Sequence, residues 1–553
     1  MAHSTSTADK LCWRCKNPIP PARVNINASE LHTKLRSQYG PSMLTAQEVD
    51  EIVKSCERDL EDYETEVVQL QSQILLLQQK RQHIKTYMTN ARSLLSPVRR
   101  VPNEILGVIF EYACNQNLIQ EFPWSLDDNP PPTELTSPAI SFLPALSISS
   151  TCSRWHSIAK SSNLWSNLRL EVTTKFPGLL DPTMNIIQMF LTRSAERLLD
   201  IHLTISGDPQ NHISPVFDLL LQHSVRWKVF KFQGWNSAVR PCMISKHLEY
   251  DPTRDFPNLE ILEIANVCPE ELDVFRNAPK LRKLRHWFMM PAHLPLAQLT
   301  HITCYAAFGG LDDLFDFCPN VVSLELSSLQ RSPGHSFQSV TPKTSYRVTS
   351  LTLLDDCVKT DRTLDLALLN LTLPALKELR VERKLSWQGH NARWPKDIFF
   401  SFLSRSSCKL TKLTISSIGI SDTDLIPALQ LLSSLVSLEI NDYEASPNIS
   451  PITSRFIRSL EFSGSNSTLI PKLRCLSLDY SGYGFDDLGF ISMVSSRWLL
   501  DPRYAKMVGV ECLRSVEMRF RQREVNGALY KPLQLLDKMG LRVTVLGKNN
   551  TKI

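Results

Sequence analysis

The 553-residue sequence is poor in glycine, with 18 residues in all. Phosphate-binding loops need closely spaced glycines followed by a lysine and a hydroxyl residue, and the glycine-containing segment SGYGFDDLG at 481–489 lacks that lysine. Nucleophile elbows, zinc-protease helices and paired cysteine clusters are also missing. The sequence therefore does not indicate an enzyme, and we expect neither a cofactor nor a resident metal.

Long apolar runs are missing as well, since no stretch approaches eighteen uninterrupted apolar residues, which argues against a membrane span. The first residues lack the cationic and then apolar pattern of a secretory signal. The 13 cysteines are irregularly spaced, and Cys12 and Cys15 have no second close pair with which to form a zinc site. Such cysteine usage is typical of reduced thiols, so we expect a cytoplasmic or nuclear protein without membrane association.

Neither sign of charge dominates, because 61 basic and 56 acidic side chains give a formal net charge of +5. This balance gives no indication of nucleic-acid binding. The hydrophobic fraction of 42% and the charged fraction of 21% are typical of a folded globular chain. The length exceeds that of one ordinary domain, so we expect several domains and a large core.

Apolar residues recur at alternating steps of three and four between residues 46 and 95. This seam comprises Val49, Val53, Cys56, Leu60, Tyr63, Val67, Leu70, Ile74, Leu77, Ile84, Met88, Ala91 and Leu95. Only Arg81 interrupts it, and neither proline nor glycine does. The pattern predicts a long, coiled-coil-like helix over 46–95, preceded by a disordered tail over 1–45.

The charges of this segment are divided between its two halves. The first half carries Asp50, Glu51, Glu57, Asp59, Glu61, Asp62, Glu64 and Glu66, and the second half carries Lys80, Arg81, Lys85 and Arg92. Acid early and base late complement the helix dipole, and the same polarity suits an antiparallel partner. The pattern fits self-association through 46–95 and fits equally a helix packed on the rest of the chain.

A short apolar helix is predicted directly after this segment, because Pro102 and Glu104 suit its first turn. One of its faces carries Ile105, Leu106, Ile109, Phe110 and Ala113. After a proline-rich interruption at 115–144, a second helical face and a third short piece carry Ile148, Cys152, Trp155, Ala159, Leu164, Trp165 and Leu168. A module this small cannot cover all these side chains, so we expect part of its apolar surface to contact another protein.

In order and spacing these residues resemble the F-box motif. The matching positions are Val101-Pro102, Glu104-Ile105-Leu106, Ile109-Phe110, Cys152-x-Arg154-Trp155, Ile158-Ala159 and Leu164-Trp165. The match covers residues 95 to 168, and the segment LLSPVRRVPNEIL after a heptad helix is similar to F-box proteins abundant in mushroom-forming fungi. The sequence departs from the family pattern at the 115–144 interruption and at Thr151, where the family prefers an aliphatic residue.

The resemblance implies a small F-box domain over 96–170, with an inserted loop at 115–144, that docks on the Skp-type linker protein of cullin-RING (SCF-type) ubiquitin ligases. The linker-binding residues it implies are Pro97, Val101, Pro102, Glu104, Ile105, Leu106, Ile109, Phe110, Leu146, Cys152, Trp155, Ile158, Leu164 and Trp165. Among these, Pro102, Ile105 and Ile109 are the stronger candidates for contact, whereas we expect Trp155 to be structural.

From about residue 171 to 553 an apolar triplet recurs at positions n, n+3 and n+5. Clear triplets begin at Leu198, Trp227, Leu259, Leu299, Val321, Val348, Leu376, Leu410, Leu435, Leu473 and Leu513, and PKLRKLRHW at 279–287 is a weaker one. Their average spacing of about 29 residues is typical of leucine-rich repeats with a strand and a helix per unit. We therefore predict an α/β fold in which a mainly helical N-terminal part precedes a curved, parallel-sheet solenoid of irregular repeats.

In such repeats the residues at n+3 and n+5 point into the core, whereas those at n+2, n+4 and n+6 line a concave face. The candidate target-binding residues on that face are Arg285, Trp287, Thr303, Tyr305, Glu325 and Arg380. Aromatic residues and arginine are typical of binding hot spots, although any exposed sheet face is mixed in composition. The sequence thus predicts a substrate-recognition adaptor for an unknown protein target, or alternatively a non-ligase interaction scaffold built from the same parts.

Overall fold

The structure is a computed structural model. It describes residues 20–24, 28–36, 46–115, 117–121, 143–173, 181–206, 215–234, 255–264, 269–286, 294–305, 314–327, 342–355, 363–383, 394–443, 450–464 and 468–548. The predictions for Cys12, Cys15 and Trp287, for most of the 1–45 tail and for most of the 115–144 interruption lie outside these residues. The chain divides into two compact units, Met1–Ile105 and Leu106–Ile553.

The first unit is built on α2 (Ala46–Ser93), a helix that the heptad pattern predicts. It also contains α1 (Ala28–Leu35), a 3-10 turn at Pro97–Arg100 and the start of α3 (Asn103–Ala113). Arg23 fastens the preceding segment to α2, because its backbone N–H and its guanidinium each donate to Asp59 at 2.8 Å, while the guanidinium lies 2.7 Å from Asp62. Asp59 is buried by these contacts.

The second unit combines helices with a long sheet. Its helices after α3 are α4 (Pro144–Thr151), α5 (Ser153–Ser161), α6 (Asp181–Arg193), α7 (Pro215–Leu221), α8 (Leu314–Phe317), α9 (Thr363–Asn370), α10 (Lys396–Ser406), α11 (Asp422–Gln430), α12 (Ser454–Ser459), α13 (Asp487–Ser496), α14 (Pro502–Val508) and α15 (Lys531–Lys538). Further 3-10 turns lie at Ser224–Arg226, Pro269–Asn277 and Leu296–Gln298. Among the residues that the structure describes, no helix combines the length and the apolar character needed to cross a bilayer.

The sheet has 15 strands, every neighbouring pair of which is parallel. In spatial order the strands are β1 (Leu118–Gln120), β2 (Asn167–Thr173), β3 (Leu199–Ser206), β4 (Trp227–Gly234), β5 (Ile261–Ile264), β6 (Lys283–His286), β7 (His301–Tyr305), β8 (Ser323–Ser327), β10 (Ser350–Asp355), β12 (Glu378–Arg383), β13 (Lys412–Ser416), β14 (Ser437–Asn441), β15 (Cys475–Tyr480), β16 (Ser515–Phe520) and β17 (Arg542–Leu546). A separate pair joins β9 (Lys343–Thr344) to β11 (Leu371–Thr372). This arrangement is a mixed α/β fold compatible with a solenoid.

Each predicted triplet coincides with a strand, from β3 to β8 and then in β10 and β12–β16. The n+3 and n+5 residues are buried, and in most strands the residues beside them are less buried, as in β5, where Leu262 and Ile264 alternate with half-buried Ile261 and Glu263. Thr303 and Thr414 are exceptions, at 7% and 2% exposure. Parallel strands that bury one face need a covering layer, which the connecting helices supply. The alternation that the sequence predicts is therefore present in the sheet.

Aromatic residues fill the core beside β4. The ring of Trp227 stacks on Phe230 at 4.4 Å between centroids, and both rings contact residues that lead into or follow β5. Phe256 lies 5.5 Å from Trp227 and 4.9 Å from Phe275, while Phe217 of α7 lies 6.3 Å from Phe230. These large buried rings anchor a helix and two strands around one centre.

Side-chain donors placed just before a triplet link successive repeats. Asn258 donates to the carbonyl of Val225 at 2.9 Å, and Asn320 donates to that of Ala297 at 2.8 Å. Ser434 donates to the carbonyl of Leu410 at 2.7 Å. Backbone carbonyls in the approach to one strand thus receive a partner from the next unit, which fixes the spacing of the strands.

The segment at 115–144, which was predicted to be an inserted loop, contains the strand β1. Leu118 and Ile119 are buried, and β1 pairs with β2. Asn117 bridges the neighbouring elements, because its side-chain amide donates to the Leu164 carbonyl at 2.8 Å and accepts from the Ala145 N–H at 3.3 Å. Because the segment as a whole is polar, its sequence did not indicate the short buried strand β1, which pairs with β2 about 50 residues further along the chain.

Candidate functional site

The helix α3 has a buried face and an exposed face. On the buried face, Leu106 and Phe110 are only 2% and 3% exposed, and the Phe110 ring lies 4.7 Å from the ring of Trp155 in α5. The exposed face consists of Ile105, Val108, Ile109 and Tyr112, which are 51% to 81% exposed. These four residues follow the i, i+3, i+4, i+7 spacing of one helical stripe, and we refer to them as the exposed α3 face.

Local sequence and packing hold α3 in place. Pro102 lies immediately before the helix, and Glu104 lies in its first turn, where negative charge is stabilising. Near the other end, the Glu111 carboxylate accepts a hydrogen bond from the Asn163 N–H at 3.1 Å. The exposed α3 face is therefore presented by a helix whose opposite side is packed and whose end is tied to the segment after α5.

The fourteen residues expected to bind a linker protein fall into three groups. Leu106, Phe110, Ile158, Leu164 and Trp165 are buried, Val101, Leu146 and Trp155 are half-buried, and Pro97, Pro102, Glu104, Ile105, Ile109 and Cys152 are exposed. The buried group supports the fold, since its side chains are sealed from solvent. Sequence reasoning missed Val108 and Tyr112, although helical spacing counted from Ile105 would have found both.

Trp165 illustrates the structural role of the buried group. Its indole N–H donates to the Ala159 carbonyl at 3.0 Å, and its ring meets Phe190 edge-on at 5.0 Å. The guanidinium of Arg193 lies 4.5 Å from the centre of the same ring. With its polar atom satisfied and its ring covered on more than one side, Trp165 joins α5 to α6.

A second candidate surface is a row of side chains in register across part of the sheet, one from each of the strands β3–β8, β10 and β12–β14. This outward row comprises His202, Lys231, Glu263, Arg285, Thr303, Glu325, Thr352, Arg380, Thr414 and Glu439. Four of the candidate target-binding residues, Arg285, Thr303, Glu325 and Arg380, belong to it. Tyr305 ends β7, and Trp287 lies outside the described residues.

Ion pairs occupy much of the outward row. The Glu263 carboxylate lies 3.1 Å from Lys283, 3.5 Å from Lys231 and 3.9 Å from Arg285. Burial raises the pKa of Glu263, but the three cations lower it by more, so the pKa lies below its usual value. Sequence reasoning missed Glu263 and Lys231, and the n+4 position of their triplets was the signal that could have found them.

Two candidate target-binding residues are less available than the sequence suggested. Arg380 is paired with Glu382 at 2.7 Å, and Thr303 is only 7% exposed. A ligand would have to compete with the Glu382 carboxylate for Arg380. Arg285, whose side chain is 42% exposed, and half-buried Glu325 are more accessible members of the row.

Among the residues that the structure describes, no group of three or more His, Cys, Asp or Glu side chains could hold a metal ion. No protein-family model matches the sequence, and a search of curated proteins finds no match. The exposed α3 face and the outward row are the two candidate binding surfaces.

Proposed function

We propose that the protein is a substrate-recognition adaptor of a cullin-RING ubiquitin ligase. In this proposal residues 96–170 form an F-box that docks on a Skp-type linker protein, and through it on a cullin. The parallel sheet and its helices form a leucine-rich-repeat domain that holds an unidentified protein target. The adaptor acts in the cytoplasm or nucleus and contributes no catalytic group, because tethering raises the effective concentration of the target beside the ligase.

The exposed α3 face carries this proposal. A helix that buries Leu106 and Phe110 but leaves Ile105, Val108 and Ile109 in solvent has a stripe suited to another protein. Laying the apolar stripe of a helix against a partner is a recurrent mode of recognition. The resemblance implies linker contact for Pro102, Ile105 and Ile109, and the exposure of all three supports it.

The repeat part supports the target-binding half of the proposal. Successive triplets form parallel strands whose outward residues align in one row, so that many strands contribute to a single surface. Arg285 and Glu325 provide opposite charges on this surface. Such a row can recognise a protein target through charge complementarity, which governs specificity and association rate more than affinity.

Co-purification is the direct test of the adaptor assignment. The intact tagged protein is purified from cells in which the proteasome is blocked, and its partners are identified by mass spectrometry. We expect the Skp-type linker, a cullin and one or more accumulated targets. Recovery of repeat-bound proteins without linker or cullin would instead favour the non-ligase scaffold.

A single substitution on the exposed α3 face tests the contact itself. Ile105→Asp places a carboxylate in the proposed apolar interface, so we expect linker affinity to fall by at least about tenfold. Binding to purified linker is measured by calorimetry, and thermal unfolding checks that the fold is retained. The matched control is Leu431→Asp, since Leu431 has a similar exposure of 58% and lies after α11. Undiminished binding by Ile105→Asp would show that the contact face is wrongly assigned.

A further inference from the structure

The heptad seam of α2 is exposed along most of its length. Among the described residues, the exposed large apolar seam members within α2 are between 37% and 68% accessible: Val49, Val53, Leu60, Val67, Leu70, Ile74, Leu77, Ile84 and Met88. From Val49 to Met88 this apolar stripe extends for about 58 Å at 1.5 Å per residue. A strict heptad seam of this length is typical of a helix that packs against another helix.

The residues that flank the seam divide by charge. One flank carries Asp50, Glu57, Glu64, Gln71, Gln78, Lys85 and Arg92, and the other carries Ile52, Asp59, Glu66, Gln73, Lys80, Tyr87 and Leu94. Neither flank has a basic residue before Gln71 or an acidic residue after Gln73. Charges that flank a coiled-coil seam select the partner helix and its direction. The division of charge along α2 therefore indicates which helix it pairs with and whether the two run parallel or antiparallel.

An antiparallel second copy brings the acidic half of each flank opposite the basic half of the same flank in the other chain. When two copies of the seam overlap fully in opposite directions, each flank faces the same flank of the other copy. The facing charged pairs are then Asp50 with Arg92, Glu57 with Lys85, and Glu66 with Lys80, and each pair occurs twice by symmetry. All of these pairs are attractive.

A parallel second copy is disfavoured by the same residues. In a parallel pair the two flanks face each other, which brings Lys80 of each copy to Lys85 of the other. This contact is repulsive and occurs twice. Glu64 would face Asp59, whose charge Arg23 already compensates within its own chain. In addition, Arg81, the only charged residue of the seam, would meet its own copy, whereas in the antiparallel pair it faces Tyr63, whose ring can receive a guanidinium.

We propose that α2 associates with the α2 of a second copy of this chain in an antiparallel coiled coil, centred between Leu70 and Ile74. Arg23 contacts α2 at Asp59 and Asp62, and Cys56 and Tyr63 are half-buried, whereas Leu60 between them and the other apolar seam members of α2 are exposed. The charge complementarity and the long, mostly exposed apolar stripe identify the partner as the chain itself. This assignment is independent of the proposed ligase function.

Zero-length cross-linking of the full-length protein tests both the association and its direction. Within one helix, Glu57 lies about 42 Å from Lys85, and Glu66 lies about 21 Å from Lys80, so neither pair can be joined inside one chain. We expect a species of twice the 62.9 kDa chain mass by light scattering, with carbodiimide cross-links between Glu57 and Lys85 and between Glu66 and Lys80. A species of 62.9 kDa at every concentration, or a dimer without these cross-links, would overturn the proposal.

Charge reversal provides a second test. The double variant Glu57→Lys with Glu66→Lys should weaken self-association by at least about tenfold, because it faces lysines with lysines. The variant Lys80→Glu with Lys85→Glu should do the same. A mixture of the two variants should form a mixed dimer, since one chain is then basic at all four positions and the other is acidic.

The matched control for charge reversal is Glu51→Lys with Glu61→Lys, which makes the same change in charge on the outward side of α2. This control should dimerise like the natural sequence. Equal loss of association in the control would show that net charge, and not the facing pairs, governs the equilibrium, and the proposed register would be wrong. Linker binding by the proposed F-box is measured separately and should be unchanged in all of these variants.

Discussion

Glu263 shows how one side chain of the outward row is set by its neighbours. The carboxylate is mostly buried, which disfavours its charge, yet it lies among three cations from the two neighbouring strands, β4 and β6. Because the net effect lowers the pKa of Glu263, the folded protein favours the ionised form more than the unfolded chain does. The stabilisation is therefore present above the unfolded pKa and is lost as the pH falls through the folded one.

We expect Glu263→Gln to lower the free energy of unfolding at pH 7 by about 1 kcal/mol, because its three cationic partners are partly exposed and solvent screens their attraction. The difference in stability between the variant and the natural sequence should shrink as the pH falls below about 4, because the Glu263 carboxylate then becomes protonated in the natural protein. Urea unfolding across this pH range measures it. Glu325→Gln, which removes the same charge three strands along the row, is the control. A difference that does not change with pH would indicate that packing, and not charge, is responsible.

For single residues, the sequence predicts which face of the sheet a side chain lies on better than it predicts the exposure of that side chain or its partners. The n+4 spacing places Arg285 and Glu325 in the outward row, where they are found. It does not predict that Thr303 is only 7% exposed or that Arg380 pairs with Glu382, because those outcomes depend on neighbouring strands and on rotamers. His286 shows the same limit, since it occupies a buried position of β6 where the repeat favours an apolar side chain.

Among the elements, α3 makes the sharpest prediction because its two faces should respond differently to the same truncation. Phe110→Ala removes a ring that is 3% exposed and packed on Trp155, so it should cost about 3–5 kcal/mol of stability. Ile109→Ala, on the exposed side, should change stability by no more than about 0.5 kcal/mol. Chemical denaturation of both variants measures the contrast. Similar losses in the two would mean that Ile109 is covered.

Periodicity predicts the long and regular elements. The heptad spacing predicts α2, and the apolar triplets predict the strands β3–β8, β10 and β12–β16, because in both cases the pattern follows from local geometry. β1 was not predicted, since three buried residues in a polar segment show no measurable period. The division of the proposed contact residues between core and surface was likewise only partly predicted, because burial of Leu164 and Trp165, in the turn after α5, depends on packing against other segments.

Taken as a whole, the second unit is stabilised by contacts between consecutive repeats. Each strand pairs mainly with its neighbours in the chain, so its free energy of folding is close to a sum of repeat and interface contributions. In the last described repeat, Tyr530, Leu533, Leu541 and Val545 are buried, and the Tyr530 hydroxyl donates to the Asp487 carboxylate of α13. We therefore expect this repeat to stabilise the units before it.

Deleting residues 530–553 should test this stabilisation. The four buried side chains each contribute roughly 1.5–3 kcal/mol, so their loss should lower the unfolding midpoint substantially and promote aggregation. Circular dichroism and thermal unfolding measure the effect. A shorter deletion of 549–553 is the control and should leave the midpoint unchanged. Equal midpoints for the long deletion and the full chain would show that the last repeat adds no stability.

Because all neighbouring strands run the same way, their carboxyl ends lie along a single margin of the sheet. The connection from β8 to β10 is longer than that from β6 to β7. In both pairs of strands the residues of the outward row still lie side by side, Glu325 beside Thr352 and Arg285 beside Thr303. Insertions at this margin therefore leave strand pairing intact. Descendants of one ancestral chain could diversify what they recognise by lengthening these connections alone, without rebuilding the scaffold beneath them.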